Sequence, residues 1–317
     1  MKKIVSALFI MLAIGIVGTL VSVSASGGFS FETYEIKDKL VLENQKLENL
    51  NFHFESSDVM VVPSSEDKIT VELHGKISRK LKKELSLVAE ENGNTVDVKL
   101  IDHNQQIINI GILIYDTNIR IHVPEKEYKS INVVTSSADI GAEGVLAKKL
   151  HFNTSSGDIK VESSDARESF EVKTSSGDVI VEKTKSKKIN LISSSGDLFL
   201  KGSQATTIST TASSGDVVLT DVEGNLETIT SSGDMSISSE QLTGDITAKS
   251  SSGDVIIEFK DKPTSMKLDF KGESGSGIID IKQMSYQEKE EDRIIGQLGD
   301  GEYELNVKTN SGDFYLK

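Results

Sequence analysis

The sequence contains no cysteine and no tryptophan, only 3 prolines, and aromatic residues at 5%. Without cysteine there is no disulfide framework and no thiol catalysis. So few aromatics leave little with which to stack sugars. Arginine is scarce too: Arg79, Arg120, Arg167 and Arg293 are the only four. The five histidines (His53, His74, His103, His122 and His151) are scattered. No two have zinc spacing, and His-Glu-x-x-His is absent. Positive charge is in deficit, with a formal net charge of −14 at pH 7. A chain this acidic is a poor nucleic-acid binder and is repelled by bare anionic lipid.

What the chain has in abundance is one turn. Ser-Ser-Gly-Asp occurs six times, with its glycine at Gly157, Gly177, Gly196, Gly215, Gly233 and Gly253. Asn310-Ser311-Gly312-Asp313 is a close variant, and Ser136-Ser137-Ala138-Asp139 and Ser274-Gly275-Ser276-Gly277 are degenerate copies. From Ala138 to Gly253 the gaps are 19, 20, 19, 19, 18 and 20 residues, followed by 24 to Gly277 and 35 to Gly312. A fixed period in this range marks a solenoid or array.

The flanks decide which kind. Seven residues before each corner stand Ile131, Leu150, Phe170, Ile189, Ile208, Leu226, Ile246, Phe270 and Leu305. Two after it come residues such as Ile159, Val179 and Leu198, and four after it Val161, Val181 and Leu200. These offsets follow the strand period of two, broken at the corner, and no helical spacing fits them. One coil buries too few apolar side chains to offset the entropy of ordering it, so the copies must stack. The expected fold is all-β: a β-solenoid, in the form of a right-handed parallel β-helix with coils of about 19 residues and rungs about 4.8 Å apart. An antiparallel hairpin stack shares the strand period but needs a two-residue turn between longer strands.

Four segments follow. Residues 1–25 read as a signal peptide or membrane anchor: Lys2 and Lys3 precede an uncharged run over 4–23, with Val23-Ser24-Ala25 as a possible cleavage point. Either form places the rest outside the cytoplasm, tethered to the cell membrane through residues 4–23 or secreted after cleavage at Ala25. Residues 26–36 are a Gly/Ser linker. Residues 37–130 form a β-rich cap, in which Leu50, Phe52 and Phe54, then Val59 and Val61, repeat the coil's register with Ser57 in the glycine's place. Residues 131–317 are the regular solenoid, with an acidic insertion at 285–301 that reads as a solvated loop. A basic island at 76–83 reads as a loop or short helix, or as a contact for anionic envelope polymer or lipid.

No constellation points to chemistry, so no catalytic, cofactor-binding or metal residue is assigned. The aspartates after each corner (Asp139 through Asp254, and Asp313) would repel one another by about 1 kcal/mol per pair in water. They are expected to lie in solvent or to be stabilised by corner hydroxyls and N–H groups. A calcium stripe is the competing reading. The hydroxyls three before the glycine, such as Thr154, Thr174 and Ser193, are expected to form a ladder up the stack. Parallel β-helices also host lyases and hydrolases of polysaccharides. Their sites break the regular rows with clustered acids and bases, which these rows do not show.

The anchor, the early Ser-Ser-Asp-Val at 56–59, Val123-Pro124, the recurrent Thr-Ser-Ser-Gly-Asp and Gly299-Asp300-Gly301 together resemble the LiaG-like putative adhesin family, over residues 50–317. The resemblance implies an extracytoplasmic, often membrane-anchored β-solenoid in a cell-envelope stress context, with no established catalytic residues. The expected function is a non-enzymatic scaffold or binding protein of the bacterial envelope, acting on an unknown envelope polymer or protein. The alternatives are a carbohydrate-active β-helix enzyme and a calcium-stabilised adhesin.

Overall fold

A computed structural model describes residues 11–12, 15–18, 32–79, 84–103 and 114–317. The cleavage point at Ala25, most of the apolar segment and residues 80–83 of the basic island lie outside these residues. Among the described residues no helix is long and apolar enough to cross a membrane.

The described chain is a stack of rungs. In each regular rung one strand leads into the Ser-Gly-Asp corner and a second trails out of it. The leading strands form a 14-stranded sheet and the trailing strands a 13-stranded one. Successive rungs pair in parallel and in register, which excludes the hairpin stack. Leu150 sits beside Phe170, and Phe170 beside Ile189. All three are at most 1% exposed, so one position per rung forms a hydrophobic column between the sheets. In the trailing sheet Ile159, Val179, Leu198 and Val217 form a matching column. The rings of Phe152 and Phe170 meet across adjacent rungs at 6.2 Å. Thr210 and Thr228 take apolar places in this core and bond to each other at 3.1 Å.

A second corner returns the chain to the leading sheet. Six residues after the first corner of five consecutive rungs the backbone is left-handed, at Gly144, Ser163, Lys183, Gly202 and Asp221 (φ between 50° and 66°). The next residue turns inward and is buried: Val145, Ser164, Thr184, Ser203 and Val222. Ser164 Oγ donates to Glu162 O and accepts the Val145 N–H one rung earlier, closing the turn. Nothing in the mixed residue types at this position announced it.

Both ends depart from sequential stacking. The first rung in sequence, Asn49–His53 with Asp58–Ser64, lies second in space. It sits between the Tyr128–Val134 rung and a later one made of Thr95–Asp102 and Tyr115–Pro124. The last rung, Tyr303–Thr309 with Phe314–Leu316, is likewise inserted between the Gly253 rung and the rung of Met266–Lys271 and Gly277–Ile279. The final strands therefore do not end the stack. Antiparallel strands cover the outermost leading rungs: Leu85–Asn92 at one end, Arg293–Leu298 and Ser285–Lys289 at the other. In the trailing sheet Ile69–Ser78 and Thr33–Leu42 do the same. Such caps blunt the open edges of a stack.

The degenerate corner of the outermost rung is Gly275, not Gly277, because Leu268 pairs with Leu305 and Gly277 with Phe314. Gly277 then occupies an inward position where the ring of Phe270 and the end of Ile294 fill the space a side chain would need. The insertion at 285–301 is not a solvated loop, for its second strand buries Ile294 and Leu298 on the end of the core. The alternation Ile294, Gly296, Leu298 carried that signal, masked by the acidic residues before it.

Candidate functional site

The corner is built from three aligned rows. At the glycine, an added Cβ would collide with the carbonyl of the glycine one rung earlier, as Gly196 on Gly177 shows. Glycine is required there by close approach, not by an unusual φ. Three residues earlier, Thr174 Oγ1 accepts the Gly177 N–H at 3.1 Å and donates to Gly157 O at 3.2 Å. Ser193 does the same between Gly196 and Gly177. The hydroxyls thus bridge backbone to backbone across rungs and do not bond to one another, as a simple ladder would.

The aspartates form an unbroken chain of charge-assisted bonds. Each backbone N–H donates to Oδ1 of the aspartate one rung earlier, from Asp139 onto Asp58 through Asp313 onto Asp254, at 2.8–3.1 Å. Ser276 closes the row on Asp313 with both its N–H and its hydroxyl. These two bonds, the backbone one first, hold the Asp313 carboxyl below the usual carboxylate range. A bond to a charged group contributes roughly 1.5–3 kcal/mol, enough to offset a neighbour repulsion of about 1–3 kcal/mol.

The two outer faces differ. Six residues before the corner, the leading sheet presents a polar row, including Asn132, His151, Glu171, Asn190 and Ser209. Beside it Ile192 and Ile229 are separated by Thr211. The trailing sheet's outward row, three after the corner, is apolar over three consecutive rungs at Ile180, Phe199 and Val218, is interrupted by Ser236, and resumes with Ile256, Tyr315 and Ile278. These side chains are half-buried, and Ile278 is 54% exposed. Alternation in a strand makes this position point away from the core, so the fold does not need it apolar. Sequence reasoning passed over the row because it scored the inward offsets. The signal was a continuous apolar triplet, such as Val179-Ile180-Val181, where an alternating strand needs two.

The aspartate row borders this stripe along one edge, since one residue separates them in each strand. The negative field of Asp313 first, then burial and Asp254, raises the Tyr315 phenol above its ordinary range. The other candidates are dispersed. His151 Nδ1 lies 3.5 Å from Glu171 on the opposite face. Arg293 pairs with Asp269, approaches Glu288 at 3.8 Å and donates to Phe270 O at 2.8 Å, clamping the end cap. Of the basic island, Lys76 to Ser78 continue a strand. Among the described residues no group of three or more His, Cys, Asp or Glu is placed to hold a metal ion.

No curated protein matches the chain. Among the solved structures similar to it, three share low identity. One is a putative lipid binding protein from Parabacteroides distasonis, with 17% identity and TM-score 0.47 over 90% of this chain and 96% of that one. Another is a putative adhesin from Bacteroides fragilis, with 14% identity and TM-score 0.44 over 91% and 98%. The third is a putative cell adhesion protein from Clostridium sporogenes, with 12% identity and TM-score 0.29 over 90% and 99%. A family model described as Toastrack DUF4097 matches residues 47–317, which takes in every rung from the Ser57 corner to the last strand. The chain belongs to the Toastrack DUF4097 family.

Proposed function

We propose that this protein is a non-enzymatic binding scaffold of the bacterial cell envelope, held outside the cytoplasm by its N-terminal segment, and that it engages its partner through the outer face of the trailing sheet. The observation that carries this reading is the Ile180–Phe199–Val218 row, an apolar surface that the solenoid does not need for its own stability. The corners support it, because one oxygen of each carboxylate and the inward hydroxyl are committed to holding rungs together. The LiaG-like identity and the envelope-stress context belong to this proposal and rest on the motif resemblance.

The absence of native cysteine makes the test direct. Lys160 is exposed on the trailing face, and Lys160→Cys should be labelled by a membrane-impermeant maleimide in intact cells. Labelling only after lysis removes the extracytoplasmic reading. Purified full chain should be retained on an isolated envelope fraction, and Phe199→Ser with Val218→Ser should abolish retention without lowering thermal stability. Undiminished retention removes the stripe as the binding surface.

A further inference from the structure

We propose that the trailing face docks a cationic amphipathic helix, laid along the solenoid axis with its apolar side on the Phe199 row and its basic residues over the aspartates. This rests on the binding reading above and names the partner's chemistry.

Three features favour this occupant. The first is shape. The stripe runs from Ile180 to Ile278 across seven successive rungs. At about 4.8 Å per rung it is about 29 Å long, the length of roughly 20 helical residues, and one helical turn of about 5.4 Å nearly matches one rung. The second is backbone satisfaction. Six of the seven strands beneath, from Val179–Glu182 to Phe314–Leu316, are paired on both sides, and the sheet edge at Gly277–Ile279 lies only at one end of the row, so along its length the stripe offers no free N–H or C=O to an extended segment. An extended chain on an apolar row would leave its own backbone groups without partners, whereas a helix satisfies them internally. The third is charge. Asp178, Asp197, Asp216, Asp234, Asp254 and Asp313 form one border, spaced one rung apart. The ladder uses only Oδ1 of each, so a basic helix can reach Oδ2 and relieve the mutual repulsion of the carboxylates. A second copy of this chain fits less well. The stripe offers on the order of 300 Å² per partner against about 800 Å² in a stable interface, and the copies repel at net charge −14.

The test uses the full chain with one dye-labelled cysteine. Ser236→Cys places an environment-sensitive dye on the stripe, and Ser209→Cys places it on the opposite face. The probe is a synthetic 18-residue Leu/Lys peptide with its leucines on one helical face. Controls are its scrambled version, a Leu/Glu counterpart, and phosphatidylcholine vesicles alone. The Leu/Lys peptide should shift the Ser236 dye saturably and leave the Ser209 dye unchanged, with weaker binding in high salt. Replacing Asp178, Asp197 and Asp216 by Asn keeps each Oδ1 acceptor and removes the charge, and it should weaken binding about tenfold. Salt dependence in the unmodified aspartate row gives the same information if that variant folds poorly. Equal binding of the Leu/Glu peptide overturns the cationic assignment but leaves the stripe as a binding surface. A dye shift with vesicles alone overturns it in favour of lipid. No response to any probe, with envelope retention insensitive to Phe199→Ser, overturns both readings.

Discussion

Two glycines six residues apart separate close approach from backbone conformation. Gly196 is a first-corner glycine with ordinary φ, and Gly202 is a second-corner glycine at φ 58°. A methyl at Gly202 meets nothing nearer than Lys183 Cγ at 3.8 Å. Its cost is the left-handed penalty of roughly 1–2 kcal/mol, less about 0.4–1 kcal/mol gained by restricting the unfolded chain. Gly202→Ala should therefore cost about 0–1.5 kcal/mol. At Gly196 the methyl lands on the Gly177 carbonyl, and the rungs must separate. Separation strains the Asp197 N–H bond to Asp178 and both bonds of the Ser193 bridge. Three hydrogen bonds at about 1 kcal/mol each, with overpacking of roughly 1–3 kcal/mol, give about 4–6 kcal/mol. Urea titration of each variant, with hydrogen exchange to localise the damage, reads the difference. Exchange matters because a stack of rungs can unfold in parts. Equal costs at the two sites, or a larger cost at Gly202, would refute the claim that corner glycines exist to let rungs touch.

Three other outcomes follow from the same geometry. Thr174→Val removes a buried bridge and should cost about 1–3 kcal/mol, while Thr309→Val should be neutral or stabilising, because Thr309 Oγ1 is buried without a partner among the described residues; thermal melts that reverse this order contradict the bridge. The Asp313 carboxyl is depressed in the folded state, so its contribution is present above roughly pH 4 and lost as pH falls through its lower folded value. The Ser276 amide should lose exchange protection in that acid window, and protection unchanged from pH 6 to pH 2 speaks against it. Ending the chain after Glu302 removes an inserted rung, not a terminal one. Protection should then collapse across Met266–Lys271 and Arg293–Leu298 together, whereas a loss confined to the deleted residues would mean that the insertion adds no coupling.

An inserted rung alters how such a stack unfolds. In a sequential solenoid the last coil can peel away and leave its neighbour intact. Here Tyr303–Thr309 is paired on both sides, to Ile246–Ser250 and to Met266–Lys271. The first rung is held in the same way by Thr95–Asp102 and Tyr128–Val134. The first and last rungs are thereby locked one layer inside, while Thr33–Leu42 covers the outer edge of the trailing sheet.

The sequence alone determined the rung. The placing of Leu150, Phe170 and Ile189 in one column, Ser57 as a corner, and aspartates satisfied by corner N–H groups were all legible, because each position in a stack meets its own counterpart one rung away. A pattern repeated at nearest neighbours needs no long-range information. The tertiary structure decided the rest. The Gly253 rung could accept either the strands at 266–279 or those at 303–316, since both alternate apolar and polar residues, and only packing against the Arg293–Leu298 cap selects the order. The same packing sets Gly275 as the corner, because Gly277 must leave room for Phe270 and Ile294. The left-handed second corner tolerates Gly, Ser, Lys and Asp alike, so no residue type marked it. The outer row of Ile180, Phe199 and Val218 was written in the sequence as apolar, but only the closed pair of sheets fixed it on the outside, where an apolar row has no use to the fold and is free for a partner.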